Sequence, residues 1–196
     1  MNEDFKKILK FLEKLPGIGK RSAQRIGFYL LKMDENEIKE FTNSLILARE
    51  SLKICEECFN YSEERICKVC RNENRDNSLL CIVEEPSHLF FIESSKVYNG
   101  KYFVLGGLLT SEKEEIMKER INKLLEKVKK NELKEIIIAL NPTTEGEATS
   151  YYLYDILKEY NKKITRIGLG LPFGSSLELT DPITITKAME GRKEIS

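Results

Sequence analysis

Four cysteines between positions 55 and 70 constrain this 196-residue chain more than any other stretch. They read C-E-E-C-F-N-Y-S-E-E-R-I-C-K-V-C, so Cys55 and Cys58 form one C-x-x-C pair and Cys67 and Cys70 a second, after eight intervening residues. Two such knuckles can set four thiolates tetrahedrally around one Zn²⁺, each at about 2.3 Å. Four protein ligands close the coordination shell and leave no position for water or substrate, which points to a structural zinc rather than a catalytic one. Two disulfides and an iron–sulfur cluster are the alternatives. Compact paired knuckles in a chain of cytosolic character favour zinc over both. Cys81, the fifth cysteine, stands in an apolar run and is expected in the core.

Charged residues make up 33% of the chain, which suits a heavily solvated surface, and 41% hydrophobic content supports a real core. Formal net charge is zero, so the total selects no partner. Its distribution does. Residues 1–32 carry eight Lys and Arg against three acids, a local surplus of positive charge suited to an anionic partner. No apolar run approaches the ~18 residues of a membrane span, and the charged start is no signal peptide. With the cysteine reading, this gives a cytoplasmic expectation with no membrane contact.

Residues 4–14 place Phe5, Ile8, Leu9, Phe11 and Leu12 at helical spacing. The pattern stops at Leu15-Pro16-Gly17-Ile18-Gly19, because a residue before proline avoids the helical region and glycine punctuates. A helical period resumes over residues 20–33. Helix, short P-G-x-G hairpin and helix is the sequence shape of a helix-hairpin-helix DNA-binding unit. Gly17 and Gly19 let the backbone approach a phosphate, and free N–H groups at the second helix's start form an anion site. Lys20, Arg21 and Arg25 lie within its first two turns, the two arginines one turn apart on one face. An ordinary helical hairpin with solubilising lysines is the alternative. The stretch G-I-G-K-R-S lacks P-loop spacing and an upstream strand, so no ATP site is expected there.

Residues 34–53 predict a longer helix, with Asp34 and Glu37 spaced as a capping box and an apolar face through Ile38, Phe41, Leu45, Leu47, Ala48 and Leu52. A polar stretch at 71–78 marks a boundary after the cysteines. Beyond it, apolar runs at 79–84, 102–105, 135–140 and 164–169 alternate with helical patterns at 111–130 and 148–160. Such alternation implies a parallel-rich sheet covered on both faces, with ligand sites beyond the strands' carboxyl ends. Glu84, Glu145 and Glu147 follow such ends. The charges of residues 111–130 are expected to form a solvated face.

The order of these parts, together with C-I-V-E-E-P at 81–86, Y-F-V-L-G-G-L at 102–108, N-P-T-T-E-G-E-A-T at 141–149, R-I-G-L-G-L-P-F-G-S-S-L-E-L-T-D-P-I-T-I-T at 166–186 and the closing A-M-E-G-R-K-E-I, resembles the bacterial RecR family of recombination mediators. The resemblance covers nearly the whole chain. It implies an α+β multi-module fold: a helix-hairpin-helix region (1–53), a four-cysteine zinc finger and linker (54–78), an α/β Toprim domain (79–172) and a C-terminal segment at a subunit interface (173–196). In catalytic Toprim enzymes one Glu and a D-x-D pair hold Mg²⁺. Glu84 matches that Glu, but Asn141 and Thr143 fall where the two aspartates stand. An amide and a hydroxyl are poor donors for a hard cation. This leaves Glu84, Glu145 and Glu147 as a weak Mg²⁺ site or a partner-docking surface. A second departure is the short stretch at 110–114, where relatives carry a longer loop. Glu178 and Asp181, in a segment described as Walker-B-like, make no ATPase without a P-loop; Gly170, Pro172 and Gly174 are expected to shape a turn against another subunit. His88 is expected to be incidental, and Tyr151, Tyr152 and Tyr154 to sit in a core or an interface.

The resemblance further implies a non-enzymatic mediator that works with RecO, and with RecF where present, to load RecA at gapped DNA. It also implies a homo-oligomer, commonly a tetrameric ring. A Mg²⁺-dependent Toprim nuclease and a protein-only zinc adaptor are the alternatives.

Overall fold

A computed structural model describes residues 2–109, 114–130, 132–192 and 194. The short stretch after the G-G-L motif falls at residues 110–113, outside the described residues. The chain divides into two compact units, Met1–Leu52 and Lys53–Ser196.

In the first unit, helix α1 (Glu3–Glu13) starts at Asn2, whose side chain accepts from the Asp4 N–H at 3.0 Å. Helix α2 (Lys20–Leu30) follows the hairpin, where Gly17 takes φ +76°, a left-handed step that favours glycine. The two helices close on Phe5, Leu9 and Ala23, all buried. Gly27 permits the approach: a Cβ there would stand 2.8 Å from Leu9 Cδ2. Phe28 adds a ring 5.0 Å from that of Phe5. Helix α3 (Glu35–Ser51) has the expected capping box, with Asp34 accepting from the Asn36 N–H at 2.8 Å and Glu37 accepting from the Asp34 N–H at 3.2 Å. Its apolar face is present but not covered. No residue of α3 is buried, and Phe41, Leu45 and Leu47 stand exposed.

The second unit opens with a two-stranded ribbon, β1 (Lys53–Ile54) antiparallel to β2 (Tyr61–Ser62), and a one-turn helix α4 (Lys68–Arg71). Strands β3 (Asp76–Val83), β4 (Gly100–Val104), β5 (Glu135–Ala139) and β6 (Lys163–Arg166) then form one parallel sheet in the order β4-β3-β5-β6. Parallel neighbours need crossovers. Helices α5 (Pro86–Ser95), α6 (Glu114–Val128) and α7 (Thr144–Leu157) lie between successive strands, and α8 (Pro182–Glu190) follows the sheet. Leu80, Ile82, Val83, Tyr102, Phe103, Ile136 and Leu153 are almost wholly buried and form the core. Cys81 joins them, and burial pushes its thiol up to about 12, so it is inert packing.

Three expectations need correction. Helix α7 begins at Thr144 rather than 148, because the Thr143 hydroxyl accepts from the Gly146 N–H at 3.1 Å and caps it. The acidic turn is therefore the first turn of a helix. Helices α5 and α8 were not anticipated; α5 starts with Pro86 at its first position and is apolar without a helical stripe. Tyr151, Tyr152 and Tyr154 project from α7 at 66%, 38% and 49% exposure, so none of them belongs to the core.

Candidate metal centre and nucleic-acid interface

The four knuckle cysteines converge. Their sulfurs all lie within 4.8 Å of one another, with Cys58 Sγ and Cys67 Sγ 3.6 Å apart. A tetrahedron with metal–sulfur bonds of about 2.3 Å has edges of roughly 3.8 Å, so the spacing suits zinc. All five cysteines are free thiols, which sets the disulfide alternative aside. Local chemistry builds the cluster. Phe59 takes φ +62° to turn the first knuckle, the Cys67 N–H donates to Cys55 Sγ at 3.2 Å, and the Cys70 N–H points at Cys67 Sγ at 3.5 Å. Crowding sets the thiols against one another: the bond with Cys58 holds Cys55 well below the ordinary thiol range, and the bond with Cys55 pushes Cys58 and Cys70 above it. A cation is what lets all four ionise together.

The finger is fixed to the sheet at β4. The Val104 N–H donates to Cys58 O at 2.8 Å, and Phe59 packs edge-on against Phe103 at 5.4 Å. Lys101 Nζ donates to three carbonyls at the end of α4: Val69 at 3.2 Å, and Cys70 and Asn72 at 2.8 Å each. Arg75 in the linker pairs with Glu93, which also accepts from Tyr102 Oη at 2.7 Å. Sequence reasoning missed Lys101, Arg75 and Glu93, since each works across a long sequence separation.

At the hairpin, Gly19 is the N-cap of α2 and offers no side-chain cap. Lys20, Arg21 and Arg25 are all exposed. Among the described residues, neither arginine has a salt bridge. The first turn holds no acid, although the positive end of a helix favours acids and disfavours cations. Uncapped N–H groups and two guanidinium groups without a salt bridge therefore face solvent together. An anion is the complement of this arrangement.

The Toprim-type acids behave differently. Glu84 follows the end of β3, and its carboxylate meets Asn141 Nδ2 at 3.5 Å. Glu145 is exposed in the first turn of α7. Glu147 is held by a two-pronged pair with Arg166, one prong at 3.0 Å, and that guanidinium keeps its carboxyl below the usual carboxylate range. Among the described residues, metal-ligating side chains converge only at the four cysteines. The Thr143 hydroxyl is committed to its cap and Glu147 to Arg166, so these donors do not fit a hard divalent cation. Arg166 was also missed, although it closes β6, and the strand-end rule that singled out Glu84 would have found it. His88 is half-buried in α5.

Gly146 underlies this turn. It is buried, and a Cβ there would overlap Asn141 O, a backbone atom unable to swing aside. Gly146→Ala is expected to cost about 1–3 kcal/mol through overpacking, read as a lower urea midpoint at unchanged slope. An unchanged midpoint would show that the turn yields freely.

Comparison with known proteins agrees part by part. Family models for the RecR helix-hairpin-helix, the RecR four-cysteine zinc-finger domain, the Toprim domain and the RecR C-terminal region match residues 5–49, 52–72, 78–168 and 170–193. The chain is similar to the recombination protein RecR of Gloeothece citriformis, at 38% identity over 96% of this chain and 95% of that protein. It is similar to RecR of Gloeobacter violaceus at 41% and of Clostridium perfringens at 40%, each over 96% of both chains. The zinc-finger match covers the cysteine cluster, and the helix-hairpin-helix match covers the uncapped start of α2. At that identity and coverage, the chain belongs to the RecR family of recombination proteins.

Proposed function

We propose that this protein is a non-enzymatic recombination and repair mediator that grips DNA by its phosphates. The observation that carries the reading is the uncapped, acid-free start of α2 beside Arg21 and Arg25, neither of which has a salt bridge among the described residues. Lys20 and the backbone at Gly17 and Gly19 complete the contact. Phosphate contacts of this kind position a protein on DNA and carry no sequence information. Family kinship supports RecO as a partner, RecF where present, RecA loading at gapped DNA as the outcome, and a tetrameric ring as the assembly. Residues 1–53 would supply the DNA contact, 54–78 the zinc-stabilised joint, 79–172 the docking platform and 173–196 a subunit interface. In the platform, Glu84, Glu145 and Glu147 offer negative charge to a basic partner, which favours fast association. Arg166 already neutralises Glu147, so Glu84 and Glu145 carry most of that attraction.

The test is mass in solution for the protein alone, with gapped duplex, and with purified RecO. An oligomer that takes up both ligands is expected. A monomer that binds neither contradicts the reading. A parallel incubation of labelled DNA with Mg²⁺ should leave the DNA intact, and cleavage abolished by Glu84→Gln would replace the mediator with a nuclease.

A further inference from the structure

Helix α6 turns one face toward the zinc finger. Arg120, Lys123 and Lys127 lie on it at helical spacing: the first two stand 4.6 and 5.2 Å from the Phe59 ring centroid, and Lys127 Nζ reaches Glu57 O at 3.3 Å. Lys130 continues the line and borders two of the clefts along it. These side chains were expected to be a solvated face, and the finger gives part of that face a partner.

Where this row begins, a cleft of about 290 Å³ opens between the finger and the carboxyl ends of the sheet, lined by Phe59, Tyr61, Glu85, Ser87, Gly106 and Arg120 among others. Arg120 is its central group. The guanidinium lies over Phe59 in a cation–π contact and rests against Gly106, where a Cβ would collide with it. Its Nη1 donates to Val104 O at 3.1 Å. Among the described residues no carboxylate forms a salt bridge with it, so most of its five N–H donors remain for a ligand. Burial works against its charge, which raises the value of any acceptor placed there. Across the cleft, Tyr61 presents a ring that is 57% exposed.

The chemistry selects a flat ring. An exposed aromatic ring beside a row of cations is the arrangement on which a single strand binds, its bases stacking on the ring and its phosphates following the charge. We infer that this cleft takes one unstacked base of a single-stranded nucleic acid, stacked on Tyr61 with its acceptor edge on Arg120 and its adjoining phosphates along Lys123 and Lys130. A base can enter only when it is out of the duplex stack, so the cleft would distinguish single strand from duplex. The inference rests on the DNA-binding reading above and adds a second contact remote in sequence from the hairpin.

The test is fluorescence anisotropy of the full chain with a short mixed-sequence single strand and with its duplex. Tyr61→Ala should weaken single-strand binding about tenfold, the scale of one base stack, and leave duplex binding unchanged. Tyr61→Phe keeps the ring and should retain affinity. Arg120→Gln should also weaken the single strand selectively. Joint replacement of Arg21 and Arg25 by Ala should instead weaken both forms. Single-strand affinity unchanged in Tyr61→Ala, or an equal loss on duplex, overturns the cleft and leaves the hairpin standing. An acidic peptide whose binding depends on Tyr61 and Arg120, with oligonucleotide affinity unaffected, also overturns it. If the unmodified protein binds neither form, the DNA reading and the cleft fall together.

Discussion

Cys58→Ser is expected to lose stoichiometric zinc and to lower the thermal midpoint by roughly 10–20 °C, on the basis that a loss of about 5 kcal/mol moves a chain of this size by several degrees per kcal/mol. Metal binding at a site absent from the unfolded chain is folding free energy, and apparent values for isolated fingers reach about 10–16 kcal/mol. The loss should be smaller here, because the sheet core from Leu80 to Leu157 is buried independently of metal. It should not stay confined to the finger. Cys58 O accepts from the Val104 N–H, and Lys101 holds the carbonyls of Val69, Cys70 and Asn72, so a collapsed finger leaves β4 only its pairing with β3. Calorimetry with a metal assay checks this, and equal midpoints for zinc-free and zinc-loaded reduced protein would remove the structural role. Arg21 and Arg25 belong to the other compact unit and should remain chemically intact in the variant.

The second large effect is expected at those arginines. Replacing both by Ala should weaken DNA binding about sixtyfold at 0.1 M salt, because each lost phosphate contact removes about 0.9 of a decade there. The loss should be the same for unrelated sequences. Both side chains are exposed and neither has a salt bridge among the described residues, so the thermal midpoint should not move. A variant that loses DNA and stability together would place these residues in the fold instead.

The parts that were legible in the sequence are those fixed by local chemistry. The knuckle spacing specified its sulfur cluster, and Asp34 with Glu37 specified the start of α3, because both act over a few residues. Apolar runs located all four strands of the sheet. Interactions across the sheet were not legible. Arg166 reaches Glu147 and Arg120 reaches Phe59 only after the chain has folded back, and nothing in their local sequence marks either pairing. The apolar stripe of α3 was legible as a pattern but not as packing, since its own unit leaves Phe41, Leu45 and Leu47 exposed. The resemblance to RecR supplied the Toprim domain, which strand alternation alone could not name. The start of α7 was hidden by Thr143, whose cap turns an acidic loop into a helix.

If the hairpin holds DNA through phosphates, the change in salt dependence on removing its two arginines reports that contact. The decisive quantity is the slope of log affinity against log salt for gapped DNA, compared between the unmodified protein and the double Arg21→Ala, Arg25→Ala variant. With two phosphate contacts removed, the slope should become shallower by about 1.8 on the duplex portion, identically for two unrelated sequences. An unchanged slope would contradict the hairpin contact, because the arginines would then not be at the DNA.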